Sequence, residues 1–151
     1  PVYVAVAAGT ALIVFFVLLL KKEHFHGKFR LAYDKLMLLM DSLGLGIFTV
    51  VGVLTGIKAG YPANTFLLVF LGTLTGVGGG LLRDVMAGVP PYIFVKHIYA
   101  LASIAGACVF VLLYRNFGEI PALIVASVLV VVIRLLAAHF HWNLPRLKIR
   151  A

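Results

Sequence analysis

Phe66-Leu-Leu-Val-Phe-Leu-Gly72-Thr-Leu-Thr-Gly76-Val-Gly78-Gly79-Gly80-Leu-Leu-Arg83-Asp84 contains no charge until its last two residues. An apolar run of this length fits a bilayer, where a spanning helix needs about 20 residues. It is too long and too uniform for a barrel strand, which alternates lipid-facing and lumen-facing residues. Helices satisfy their own backbone groups in lipid, so the run reads as a transmembrane helix. Four more runs read the same way, giving spans at about 2–20, 36–59, 62–87, 92–114 and 120–140.

Composition agrees. The 151 residues are 63% hydrophobic and 12% charged, with a mean hydropathy of +1.11. A soluble domain of this length has too much surface to hide that apolar content. The expected fold class is therefore all-α, a polytopic membrane helix bundle with five spans. Its segments are a span over 1–20, a basic cytoplasmic linker over 21–35 that is helical in part, a three-span unit over 36–114 with a glycine-broken middle helix, a final span over 119–142 and a basic cytoplasmic tail over 143–151. The chain opens on Pro1 rather than Met, which points to a fragment or a trimmed chain. The first run is too long for a signal peptide core and passes straight into Lys21 and Lys22.

The net charge of +8 is distributed for lipid head groups rather than nucleic acid. With the 21–35 linker in the cytoplasm, ten basic residues lie inside: Lys21, Lys22, Lys28, Arg30, Lys35, Arg83, Lys96, Arg146, Lys148 and Arg150. Only Lys58 and Arg115 lie outside. The positive-inside rule then places the C-terminus in the cytoplasm and Trp142 in the inner interfacial belt. Membrane lipids are the expected partners, and nucleic acid is not.

Three glycines in succession cost a helix about 1 kcal/mol each relative to alanine. The expectation is a kink or break at Gly78–Gly80. Unwound backbone in a membrane belongs where protein buries it or water reaches it, and freed carbonyls or N–H groups there can hold an ion or a polar substrate. On an ideal helix Gly72, Gly76, Gly79 and Arg83 share one face, with Asp84 about 100° away. Gly52, Gly56 and Gly72 have the spacing that lets helices approach closely. Charges inside spans are expensive and mark functional positions. Arg83 and Asp84 end the third span. Asp41 opens the second, either as a solvated carboxylate at a helix N-terminus or as a partner of Arg83 across antiparallel helices. Arg134 lies inside the last span and must find a carbonyl, a carboxylate or water.

Other features carry less. Lys58 reads as a snorkelling anchor, and Cys108 as a small core filler. His139 and His141 sit at a spacing that does not share a helix face, so no metal site is expected. Neither a nucleophile elbow nor a phosphate loop with a following lysine is present. No enzyme activity and no cofactor are expected.

Asp41-x-x-Gly44, Phe48 and Gly52, then Gly76-x-Gly-Gly-Gly80-x-x-Arg83-Asp84, Pro90, Tyr99-Ala100 and Gly106 together resemble the bacterial relatives of the trimeric intracellular cation (TRIC) channels. That family is also called the glycine transporter domain family. The resemblance covers 41–114 and implies a seven-span fold of two inverted three-span repeats plus a final helix. It also implies an inner-membrane homotrimer, with a pore in each protomer lined by glycine-rich helices. On that plan the chain holds the third span of the first repeat, the whole second repeat and the last helix. The pore or substrate residues would be Asp41, Gly76, Gly78, Gly79, Gly80, Arg83 and Asp84. Three functions follow as expectations: a monovalent cation (potassium) channel, an uptake transporter for a small zwitterion such as glycine, and a structural membrane protein whose glycines only pack. In the transporter, Arg83 or a half-helix N-terminus takes the carboxylate, and Asp41 or Asp84 the ammonium.

Overall fold

Long apolar runs leave the backbone no partner but itself, and the regular elements of the computed structural model are α-helices. The described residues are 28–89 and 98–140, with Ala5, Gly9, Thr10 and Leu12, each in helical conformation. Helix α1 spans Lys28–Lys58, α2 Thr65–Met86, α3 Ile98–Phe117 and α4 Glu119–His139. Lys35–Lys58 and the whole of α2, α3 and α4 are long and apolar enough to cross a membrane. The expected first span at 2–20 falls outside the described residues, those four positions apart. Pro90, Lys96, His97, His141, Trp142 and the basic tail also fall outside them. The chain divides into two compact units, Pro1–Leu36 and Met37–Ala151. In the first, the described residues are those four positions and the opening of α1.

In the second unit, short turns follow α1 and α3. Gly60 and Gly88 adopt φ of 94° and 66°, in the left-handed region that glycine enters without a Cβ clash. Each closes its helix in the same way. After α1, the Gly60 N–H bonds the Ile57 carbonyl at 3.0 Å and the Tyr61 N–H bonds the Gly56 carbonyl at 3.2 Å. After α2, the Gly88 N–H bonds the Val85 carbonyl and the Val89 N–H bonds the Asp84 carbonyl, both at 3.1 Å. These paired bonds satisfy carbonyls that a helix end otherwise leaves orphaned. Asn64 caps the start of α2, its Oδ1 accepting from the Leu67 N–H at 3.1 Å. Gly118 alone joins α3 to α4. Arg115, near the end of α3, donates to Thr65 Oγ1 at 3.0 Å and so ties that helix to the start of α2.

Small residues set the spacing between helices. A Cβ at Gly52 would lie 2.7 Å from the Leu71 carbonyl oxygen, and one at Gly46 would lie 2.8 Å from the Ser127 carbonyl oxygen. Gly56 meets Leu68 and Leu71, and Gly72 meets Val53, Thr49 and Ala107. Helix α4 presents Ala122, Ala126, Val130, Arg134 and Ala137 as its buried stripe. One cluster of the core joins Val50, Val53, Leu68, Ala107, Phe110 and Ala126. A second, nearer the other end, joins Leu45, Val77, Tyr99, Ala102 and Val130. Large apolar side chains such as Phe66, Phe70 and Ile120 point outward, as a lipid-facing surface requires.

Helix α2 corrects one expectation. It runs without interruption from Thr65 to Met86, through all three glycines. Their unfavourable propensity is offset by close packing on one side and by the cost of unsatisfied backbone groups in lipid. The packed stripe is also not the expected one. Gly72, Gly76 and Gly80 turn toward neighbouring helices, whereas a Cβ at Gly78 or Gly79 would meet nothing within 4 Å. The expected face containing Gly79 is therefore divided.

At Gly76 a Cβ would fall on Thr49 Oγ1 and come within 3.1 Å of the Leu45 carbonyl oxygen. Gly76→Ala is expected to cost about 1–3 kcal/mol through overpacking. Gly79→Ala is expected to gain up to about 1 kcal/mol through helix propensity. Thermal unfolding in detergent checks the opposite signs.

Candidate functional site

Four of the ionisable side chains in the second unit meet near one end of the bundle, where α1 enters, α2 ends, α3 begins and α4 ends. Asp41 lies roughly 9 Å along the axis from Lys35, and Arg134 roughly 8 Å from His139, at 1.5 Å per residue. Asp41 and Arg134 thus sit inside their spans, whereas Arg83 and Asp84 lie in the last turn of α2.

Asp41 is the hub. Its Oδ1 accepts from Arg83 Nη1 at 2.8 Å and from the Tyr99 hydroxyl at 3.2 Å. Its Oδ2 accepts from Arg134 Nη2 at 3.0 Å. Arg83 also donates from Nε and Nη2 to Asp84 Oδ1, at 3.0 and 2.8 Å. The guanidinium is therefore clamped between two carboxylates. The Arg134 guanidinium lies over the Tyr99 ring, 4.5 Å from its centroid, where the ring's negative face attracts a cation. Two carboxylates and two guanidiniums leave the group with no net charge, which is how charges are tolerated away from water.

Exposure separates the members. The Arg83 side chain is 35% exposed, against 10% for Asp41, 4% for Asp84 and 3% for Arg134. Arg83 is the member that faces outward; the other three are enclosed.

Glycine makes the geometry possible. A Cβ at Gly80 would fall on the Tyr99 hydroxyl and within 3.5 Å of Asp41 Oδ1. Its absence lets the phenol of α3 reach across to the carboxylate of α1. One turn earlier, Gly76 lies against a buried hydroxyl pair, Thr49 Oγ1 and Ser103 Oγ, 2.6 Å apart. Thr49 gives its proton to the Leu45 carbonyl at 2.7 Å, so Ser103 is the donor within the pair.

The structure brings together Asp41, Arg83, Asp84 and Gly80 from the residues singled out in the sequence. Gly76 lies deeper, at the hydroxyl pair. Gly52, Gly56 and Gly72 lie at the close contacts of α1 with α2. Gly78 and Gly79 stand apart, on a bare face of α2. Of the two alternatives for Asp41, the structure has the pair with Arg83. Arg134 finds a carboxylate. Phe48, part of the family motif, points outward. The chemical part of Tyr99 was not anticipated. The signal for it was a phenol one residue into a helix that has to bury it, since a buried hydroxyl needs a partner. Among the described residues no group of three or more metal-ligating side chains converges.

Removing the hub charge should be felt strongly. Asp41→Asn leaves the enclosed Arg134 without its counter-ion and is expected to cost about 3–5 kcal/mol. Arg83→Gln should cost less, because water reaches its guanidinium and screens the loss. Comparing the two thermal midpoints in detergent checks the order.

Residues 38–115 match the family model described as "Glycine transporter". The chain is 38% identical over 109 residues to the UPF0126 inner membrane protein YadS of Escherichia coli K12, covering 70% of this chain and 51% of that protein. It is 34% identical over 114 residues to the UPF0126 membrane protein YvgT of Bacillus subtilis, covering 74% and 54%. It thus spans about half the length of these curated relatives. A solved chain from work on the "structural basis for conductance through TRIC cation channels" superposes with a TM-score of 0.73 at 30% identity, covering 94% of this chain and 67% of that one. With more than half of its residues inside the family segment and this likeness to a TRIC channel chain, the protein belongs to the TRIC-like glycine transporter family of membrane proteins.

Proposed function

We propose that this chain forms part of a membrane channel for small monovalent cations, potassium first among them, and that the path runs along the bare face of α2. The observation that carries the reading is the division of the glycines. Gly72, Gly76 and Gly80 are accounted for by close contacts, but Gly78 and Gly79 meet nothing. Among the described residues, packing gives no reason for glycine at those two positions. A path that needs room beside the helix does, because glycine leaves space that any side chain would fill. The likeness to a chain described among TRIC cation channels supports the same reading.

In this reading Asp41, Arg83 and Asp84 form the charged mouth of the path on the cytoplasmic side. The whole protein is an inner-membrane homotrimer with two inverted three-span repeats and a final helix, of which the chain supplies the third span of the first repeat, the second repeat and the final helix. A carrier for glycine is less well supported. Such a carrier would use Arg83 to take the carboxylate, but its guanidinium already holds two carboxylates at 2.8 Å. A substrate would have to displace one of them.

Full-length protein in liposomes is expected to pass potassium down its gradient faster than empty vesicles. Absence of flux, under conditions where a known potassium channel conducts, would sink the proposal. Gly79→Leu is expected to reduce flux per folded protein several-fold without lowering the thermal midpoint. Unchanged flux would remove α2 from the path.

A further inference from the structure

Arg134 stands outside the segment that matches the family model, 38–115, yet it reaches into the centre of the charged group. Its geometry differs from that of Arg83 in three ways. It is enclosed, with 3% of its side chain exposed. It holds Asp41 through Oδ2 alone, at 3.0 Å, leaving Oδ1 to face Arg83 and Tyr99. It also stacks on the ring of the tyrosine whose hydroxyl donates to that same carboxylate. One guanidinium thus fixes both the rotation of the Asp41 carboxylate and the placement of its phenolic donor. Arg134 Nε has no hydrogen-bond partner among the described residues. The residue is therefore placed for Asp41 and Tyr99 at the expense of its own hydrogen bonding.

We infer that Arg134 is a positioning residue of the mouth: the last helix supplies an enclosed, fixed positive charge that orients Asp41 and sets how strongly the mouth attracts a cation. Removing Arg134 makes the surroundings of Asp41 one unit more negative. Arg83 cannot take over the role. It is committed to Asp84 as well, and it reaches only Oδ1 of Asp41. The inference rests on the channel reading for its effect on cation affinity, and on geometry alone for its effect on Asp41.

The test uses full-length protein carrying Arg134→Met, Arg134→Lys, Asp41→Asn, or Asp41→Asn with Arg134→Met. Two quantities are read: the thermal midpoint in detergent and the potassium concentration that half-saturates flux into liposomes. Arg134→Met is expected to lower the midpoint and to lower the half-saturating concentration several-fold, because one carboxylate charge is no longer neutralised. Arg134→Lys, which keeps the charge but not the planar stacking on Tyr99, is expected to restore most of both. Adding Asp41→Asn to Arg134→Met removes one charge of each sign and is expected to bring both back toward the wild-type values. A merely structural arginine would reduce folded protein without shifting half-saturation. An unchanged half-saturating concentration in Arg134→Met, or a double variant no better than the single one in either readout, would overturn the inference. Should Arg134→Met fail to fold, the lysine and double variants decide by the same criteria. Should the wild type pass no potassium, the channel reading falls, and recovery of the midpoint in the double variant alone decides whether Arg134 positions Asp41.

Discussion

A carboxylate enclosed among helices in a low-dielectric surrounding must be neutralised and hydrogen-bonded, and in this protein three other helices do so for Asp41 at once. Helix α2 contributes Arg83, α3 the Tyr99 hydroxyl and α4 Arg134. Desolvating a charge is expensive, and the attraction between partners repays it only when geometry and hydrogen bonding are good. The distances, 2.8 to 3.2 Å, meet that condition. Small displacements of any one helix would strand a charge, so the register of all four is tied to a single side chain.

The glycines make that constraint attainable. Side chains at Gly76 and Gly80 would occupy the places of Thr49 Oγ1 and the Tyr99 hydroxyl, and those at Gly46 and Gly52 would hold neighbouring backbones apart. Association of helices in lipid relies on close packing and polar contacts, because lipid is as apolar as the side chains themselves. The small-residue seam and the charged group are thus two parts of one device. The seam lets the helices approach, and the charges specify where along their lengths they stop. Among the described residues, Gly78 and Gly79 belong to neither part.

Much of the fold was legible in the sequence, because spans are written as apolar runs and their ends as Gly60, Gly88 and Gly118. The Asp41–Arg83 pair was legible as one of two alternatives. Choosing between them required knowing which faces of α1 and α2 meet. Three features were not legible. Local propensity argued for a break at Gly78–Gly80, but the need to keep backbone hydrogen bonds and the packing at Gly76 and Gly80 override it. An ideal wheel placed Gly79 with Gly72 and Gly76, but the contacts made by α1 and α3 select Gly80 instead. Tyr99 gave no local sign of its partner, because that partner lies far away in sequence on α1.

The proposed path requires that water and ions reach the bare glycine face of α2. Cysteine accessibility tests it most directly, using Gly79→Cys in full-length protein with Cys108 replaced by alanine. Treatment of the membranes with a charged, membrane-impermeant thiol reagent is predicted to label position 79 and to block potassium flux. A folded, conducting Gly79→Cys protein whose thiol stays unmodified would contradict the account, for it would place this face against lipid or protein rather than along a path for cations.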